Sequence, residues 1–371
     1  MVDKKGKKPK VVVPKPTKKA KSSGTIWWVV VGVVVLLIGV FWNDPIDDGK
    51  PVVVPTSKMS KKQVAQRRES LDCVNREDDS YCDSSAASGS CDVAPGWMSV
   101  FCAASCGTCE LLDPKVRCDE NRIGYKRDKA WETGSVDALF SNLGSRFPEY
   151  EVEYLSRPPD GPWVVRFNNF VTEQEADALI DQAGGNLRRS TDQGEFDENG
   201  IQEQVESTGR TSRNAWCVDE CERHPDVVSV TKRIEKVTGI PKKNYESFQL
   251  LRYDLGQEYQ RHHDSSQEDN ELLSGPRILT FFLYLSDVEE GGGTQFTDLD
   301  PPLTNQPRRG SAILWPSVLN EDPTKIDHRT YHRAMPVIKG TKLAANSWIH
   351  LYEYETPNLW GCTGSFTELE D

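Results

Sequence analysis

The chain has 371 residues, 37% hydrophobic and 27% charged, enough for one sizeable domain plus smaller parts. Its net charge of -12 is unevenly spread: residues 1–24 carry nine Lys against one Asp, so the other 347 residues carry -20. So acidic a body argues against nucleic acid as a partner and is compatible with basic or neutral polypeptides.

After the lysine-rich tail (1–24), Thr25 to Trp42 form an uncharged apolar run of eighteen residues. At 1.5 Å per helical residue this spans roughly 27 Å, just enough to cross a bilayer. Trp27, Trp28 and Trp42 mark its ends, and the lysines before it face Asp44, Asp47 and Asp48 after it. That asymmetry predicts a single-pass signal anchor with a cytoplasmic N-terminus and the remainder lumenal, in an endoplasmic reticulum or Golgi membrane. A cleaved signal peptide is the competing reading. It calls for a shorter apolar region and small residues at the cleavage site, whereas Trp42-Asn-Asp-Pro45 follows here. Residues 43–72, with Pro45, Pro51, Pro55 and a basic patch from Lys58 to Arg68, read as a stem.

Six cysteines, Cys73, Cys82, Cys91, Cys102, Cys106 and Cys109, then fall within thirty-seven residues. So short a segment buries little core and needs staples, hence an oxidising compartment, which the anchor orientation predicts independently. A zinc site on Cys102-x3-Cys106-x2-Cys109 is the alternative, and six cysteines in a lumenal chain favour disulfides. Their pairing is open, with fifteen possibilities.

Residues 110–160 read as a linker plus the first helix or edge strand of a larger domain. Thr172-Glu-Gln-Glu175 is a capping box that opens a helix with Ala176, Leu179, Ile180 and Ala183 on one face, ended by Gly184-Gly185. A second helix begins at Pro225, carries Val227, Val230, Ile234 and Val237 at helical spacing, and closes at Gly239 and Pro241. From Ser247 onward, short Leu-, Ile-, Phe-, Tyr- and Trp-rich runs at 247–253, 277–286, 293–297, 310–315, 334–338 and 343–354 predict an all-β sandwich or barrel.

Within these runs, His262 and Asp264 stand two apart on an extended segment, so they share a face, while His263 points to the other. His332 lies seventy residues on, in a strand-like setting. Two imidazoles and one carboxylate with open positions form the facial triad of non-haem Fe(II) oxygenases. Lys342, ten residues past His332, is a cation able to anchor the far carboxylate of an iron-bound keto acid. His263 and the loop residue His328 are not assigned as ligands.

The segments Tyr253–Asp264, Arg277–Asp287, Gly291–Phe296 and His332–Lys342, with Gly209-Arg-Thr-Ser212 and Trp348, resemble in order and spacing the catalytic domain of prolyl 4-hydroxylases that use iron and 2-oxoglutarate. The resemblance covers residues 161–356 and narrows the fold to a double-stranded β-helix, a jelly-roll with flanking helices, leaving 357–371 as a tail. It implies His262, Asp264 and His332 as iron ligands, and Lys342, Tyr253, Thr294 and Tyr284 as contacts to 2-oxoglutarate. Trp348 and Arg277 would contact a proline-containing polypeptide. Fe(II), 2-oxoglutarate, O2 and ascorbate follow as cofactors and cosubstrates. Met335 and Leu343 replace a Cys and a Trp common in the family, which bears on the shape of the peptide groove. An inert domain acting through the cysteine-rich module, or an oxygenase for another acceptor, are the alternative functions. Residues 73–109, with Gly96-Trp-Met98 and the ending Cys106-Gly-Thr-Cys109, resemble the ShK toxin-like domain. That resemblance implies the pairs Cys73 with Cys109, Cys82 with Cys102 and Cys91 with Cys106.

Four further cysteines allow three pairings. Cys217 and Cys221 can close a small local loop, leaving Cys118 and Cys362 to flank the large domain, where chain ends often lie close together. Cross-links from Cys217 and Cys221 to the other two are the alternative.

Overall fold

The computed structural model describes residues 73–196 and 202–364. The apolar run 25–42 and the stem lie outside the described residues, among which no helix is long and apolar enough to cross a membrane. Residues 73–109 pack two short helices, Asp79–Ala87 and Pro95–Phe101, around Cys82, Met98 and Cys102. Three bridges staple them, Cys73–Cys109, Cys82–Cys102 and Cys91–Cys106, the pairs that the resemblance implied.

Among the described residues, the rest is built on sixteen strands. In chain order they are β1 (Val152–Ser156), β2 (Val164–Phe167), β3 (Arg188–Arg189), β4 (Thr191–Phe196), β5 (Gln202–Glu206), β6 (Arg213–Cys217), β7 (Phe248–Tyr253) and β8 (Tyr259–His262). There follow β9 (Arg277–Tyr284), β10 (Glu290–Gly291), β11 (Thr294–Phe296), β12 (Leu303–Asn305), β13 (Ala312–Pro316), β14 (His332–Ala334), β15 (Val337–Lys339) and β16 (Lys342–His350). A major sheet runs β1-β2-β13-β9-β16-β7-β6-β3 and a minor one β12-β11-β14-β8, all antiparallel. Pairs β4-β5 and β10-β15 stand apart from both. Two facing antiparallel sheets of this kind form the expected jelly-roll.

Strand β9 shows why the sheets face each other. Its side chains alternate, so Phe282 and Tyr284 join Tyr253, Phe296, Trp315 and Ala334 in a core between the sheets. Phe281 and Leu283 point the other way, into a second core with Leu179, Val230 and Ile234. Those last residues come from the two helices, Glu173–Ala183 and Pro225–Thr238, that cover the major sheet. The first opens on the capping box: Glu175 N–H donates to Thr172 Oγ1 at 3.2 Å and Thr172 N–H to the Glu175 carboxylate at 2.9 Å. Gly239, at φ +73°, ends the second in the left-handed conformation that glycine tolerates best.

Three differences from the sequence reading stand out. Besides β1, the edge strand expected within 110–160, strands form well before Ser247, because β2 and β6 are short and the β4–β5 hairpin is polar, leaving no long apolar run to see. Residues 110–130, within the expected linker, are folded. Buried Arg117 donates to the carbonyls of Leu111 at 2.8 Å and Trp360 at 3.1 Å. Residues 357–364, expected as a tail, fold with them: Cys118 bonds Cys362 with Cα atoms 5.7 Å apart, and the helix Glu355–Leu359 packs on Pro95–Phe101. Cys217 bonds Cys221 locally, and no cysteine is free.

Candidate active site

β8 and β14 are neighbours in the minor sheet, with His262 and His332 in register, so the His-x-Asp segment and the distal His meet across one ladder. Strand β8 ends at His262, and Asp264 lies just beyond it. Asp264 Oδ1 stands 3.7 Å from Nε2 of His262 and 3.7 Å from Nε2 of His332. One ligand atom from each of the three lies within 4.8 Å of the others. Each imidazole donates its Nδ1–H backwards, His262 to the Gln260 carbonyl at 2.8 Å and His332 to the Thr330 carbonyl at 3.0 Å. That fixes the tautomer and leaves both Nε2 lone pairs facing the carboxylate. Thr280 donates to the other carboxylate oxygen, Oδ2, at 2.6 Å.

Burial disfavours the charged imidazoles and holds His262 down at about 3, with the neighbouring His332 adding to it. Burial likewise lowers His332. Burial opposes ionisation of Asp264, but the two imidazoles and the Thr280 hydroxyl outweigh it and keep the carboxyl ionised, at about 2. Two neutral imidazoles and one carboxylate are the donor set that a divalent first-row metal takes.

Lys342 opens β16 opposite Tyr253 and is fully buried. Among the described residues its Nζ has no hydrogen-bond partner, and it lies 5.3, 5.2 and 5.6 Å from the ring centres of Tyr253, Phe282 and Tyr284. Burial alone pulls its pKa down to about 7. A buried ammonium without a counter-charge is costly, so the position calls for an incoming anion. The triad therefore fits a metal, and the orphaned lysine fits a carboxylate beside it.

The remaining expected contacts divide. Tyr253 is buried, and burial raises its phenol. Tyr284 does not present a free hydroxyl: it donates to Thr294 Oγ1 at 2.8 Å and accepts from Asn305 Nδ2 at 3.0 Å. Thr294 thus keeps its own O–H proton for an acceptor. Arg277 is likewise engaged, by a bidentate pair with buried Glu246 at 2.5 and 3.0 Å, and it lies over the Trp348 ring at 4.0 Å. His350 Nε2 adds a contact to Glu246 at 2.8 Å. Trp348 is 6% exposed, its indole Nε1 lacks a partner among the described residues, and Trp216 sits 6.2 Å away. His263 faces away from the triad and His328 lies in a turn outside it. Sequence reasoning missed Thr280, Glu246, His350 and Asn305. Only their place on inward-facing strand positions or beside them could have pointed to them.

Comparison with known proteins agrees with this geometry. The family model of the 2OG-Fe(II) oxygenase superfamily matches residues 248–350, and the ShK domain-like model matches residues 72–109. The chain is 34% identical over 261 residues to probable prolyl 4-hydroxylase 7 of Arabidopsis thaliana, covering 65% of this chain and 78% of that protein. It is 31% identical over 194 residues to prolyl 4-hydroxylase subunit alpha-2 of Gallus gallus, covering 52% of this chain and 34% of the relative. The match thus spans about a third of that subunit's length. A solved viral collagen prolyl hydroxylase from Paramecium Bursaria Chlorella virus-1, as its 2OG complex, is 25% identical, with 52% of this chain and 99% of that one covered at a TM-score of 0.41. A 2OG-Fe(II) oxygenase domain is the class that the site and the family model define together. Within that class, the chain belongs to the prolyl 4-hydroxylase family.

Proposed function

We propose that this protein is a membrane-anchored prolyl 4-hydroxylase that hydroxylates proline in a polypeptide, consuming O2 and 2-oxoglutarate, with ascorbate as the supporting reductant. The observation that carries the reading is the orphaned Lys342 ammonium held on the same inner core as the His262–Asp264–His332 cluster. His262, Asp264 and His332 would hold Fe(II) through their converging atoms, and Lys342 would hold the far carboxylate of 2-oxoglutarate. Fe(II), when bound, supplies the redox chemistry that couples oxidative decarboxylation of 2-oxoglutarate to hydroxylation of C4 of proline. The protein's own groups do the rest. The Nδ1–H bonds fix both imidazoles, Thr280 fixes Asp264, and Thr294 offers an O–H to the cosubstrate. Phe282, Tyr253 and Phe296 keep water from the charged end of the pocket. Trp348 offers an unpaired N–H where a peptide carbonyl would bind, with Arg277 holding the indole face.

The membrane anchor at 25–42 and a lumenal catalytic domain in the endoplasmic reticulum or Golgi belong to the same proposal. Ten cysteines all engaged in disulfides favour an oxidising compartment. Alkaline extraction of membranes tests the anchor: the full chain should stay in the pellet, and release into the supernatant overturns that part. Incubating the enzyme with proline-rich peptides, Fe(II), ascorbate and 2-oxoglutarate tests the activity. Succinate should form in step with hydroxylated proline, and no succinate with any such peptide overturns the activity.

A further inference from the structure

His263 stands between two of the site's ligands in sequence but faces away from them, and what it touches is informative. Its Nδ1 lies 2.7 Å from the Ser265 carbonyl and 3.1 Å from the Ser265 N–H. Its Nε2 lies 3.0 Å from Thr330 Oγ1 and 3.2 Å from the Asp327 carbonyl. Either tautomer satisfies both sides. With the proton on Nδ1, the ring donates to Ser265 and its Nε2 accepts the Thr330 hydroxyl. With the proton on Nε2, it donates to Thr330 and accepts the Ser265 N–H. Thr330 is the residue whose carbonyl accepts from His332 Nδ1 at 3.0 Å. Its hydroxyl also lies 2.9 Å from the Asp327 carbonyl, and Asp327 N–H donates to the Ser317 carbonyl at 2.9 Å.

A short polar bridge therefore runs from the segment that carries His262 and Asp264, through His263 and Thr330, to the imidazole of His332. Residues sixty-seven apart in the chain, 263 and 330, are joined by this single side-chain contact. Tyr331 packs its ring on His263 at 5.1 Å and fills the space beside the bridge.

We propose that His263 is a positioning residue of the metal site: it holds the Thr330 turn so that the Thr330 carbonyl fixes His332 with Nε2 toward Asp264. This rests on the metal-site reading of the triad. Partners that orient a ligating imidazole typically change metal affinity 10- to 100-fold when removed. His263 acts at one further remove, so the low end applies.

The test uses the full chain in detergent and Co(II) as the probe, followed by its visible absorption, together with the tautomer of His332 read from imidazole nitrogen shifts in the metal-free protein. His263→Phe keeps a ring and removes both nitrogens. It should weaken Co(II) binding by about tenfold and raise the fraction of His332 protonated on Nε2. Thr330→Val, which keeps the backbone carbonyl and the branched shape, should do the same. The double variant should be no worse than either single one, because both break one bridge. His263→Gln, which restores a donor near the Nε2 position, should recover most of the loss. A His263→Phe protein that melts lower yet keeps wild-type Co(II) affinity and the wild-type His332 tautomer overturns the proposal, as do additive losses in the double variant. If His263→Phe fails to fold, Thr330→Val decides alone. If the wild-type chain binds no Co(II), the metal reading fails separately, and the metal-free tautomer of His332 still decides the role of His263.

Discussion

Lys342 and Tyr253 are cross-strand partners on β16 and β7, and the lysine Nζ lies 5.3 Å from the centre of the tyrosine ring with no hydrogen-bond partner among the described residues. Aromatic rings flank the ammonium, and no carboxylate among the described residues pairs with it, so an arriving anion supplies the missing counter-charge. The lysine's pKa of about 7 follows from its burial. Binding of 2-oxoglutarate needs the protonated lysine, so above about pH 7 it must take up a proton. Its Kd should rise as pH goes from 7 to 9, by up to about tenfold per unit. Isothermal titration at several pH values reads this slope, and Lys342→Met should bind 2-oxoglutarate weakly with the slope lost.

The same lysine governs stability in the opposite direction. Its folded pKa is below its unfolded value near 10.4, so between about pH 7 and 10 the unfolded chain holds a proton that the folded chain lacks. The ligand-free protein should therefore gain stability across that window relative to Lys342→Met, by up to about 1.4 kcal/mol per pH unit. At pH 7, Lys342→Met should be the more stable of the two by about 1–3 kcal/mol, since it removes a buried unpaired charge. Denaturant melts at pH 7 and 9 check both statements.

Single replacement of His262, Asp264 or His332 by Ala should abolish turnover and weaken Co(II) binding by more than about 100-fold, a larger loss than removing an outer partner causes. Each change leaves only one hydrogen-bond partner unpaired and keeps the strand core intact, so the fold should persist, and near-ultraviolet circular dichroism should be unchanged. Retained Co(II) affinity in any one of the three would remove that residue from the ligand set.

Glu246 is buried between Arg277 and His350, and Arg277 Nη1 reaches the Asp264 carbonyl at 3.3 Å. Burial alone would raise the pKa of Glu246, yet the Arg277 charge and the hydrogen bond from His350 hold it at about 2. Glu246→Ala leaves both partners buried without their acceptor and should cost about 3–5 kcal/mol. For Glu246 the folded value lies below the unfolded one near 4.3, so its stabilising contribution is full above about pH 5 and is lost as pH falls toward 2. Acid titration of wild type against Glu246→Ala should converge at the low end of that window.

Gly96 marks where the cysteine-rich module meets the C-terminal segment. A Cβ there would lie 2.4 Å from the Trp360 carbonyl carbon and 2.6 Å from the Gly361 nitrogen, both backbone atoms that cannot swing aside. Gly96→Ala should destabilise by about 1–3 kcal/mol and open the contact to protease. An unchanged melting temperature and digestion pattern would mean that the module is not held there.

Local chemistry explains what was legible in the sequence. The Thr172 capping box, the helical spacing of Val227, Val230, Ile234 and Val237, and the apolar runs of β7, β9 and β16 all speak through near neighbours, and each element forms where those signals lie. His262, Asp264, His332 and Lys342 were legible because the intervals between them carry the resemblance, and β8 pairing β14 brings the first three together. What was hidden depends on contacts between distant positions. Glu246 and His350 meet across 104 residues, so nothing near Arg277 says that its charge is already engaged. The same holds for Arg117 against Trp360, which turns an apparent linker and tail into one folded junction. The polar strands β4 and β5 lack the apolar alternation on which strand reading depends.

Hydroxylation of proline at this site is the proposal on which the other readings rest. Mass spectrometry of a proline-rich peptide, incubated with the full chain, Fe(II), ascorbate and 2-oxoglutarate under 18O2, measures it directly. One labelled oxygen should appear on C4 of proline for each succinate formed, and none with Asp264→Ala. Succinate formed with the peptide unlabelled, or with the label on another residue, would contradict it.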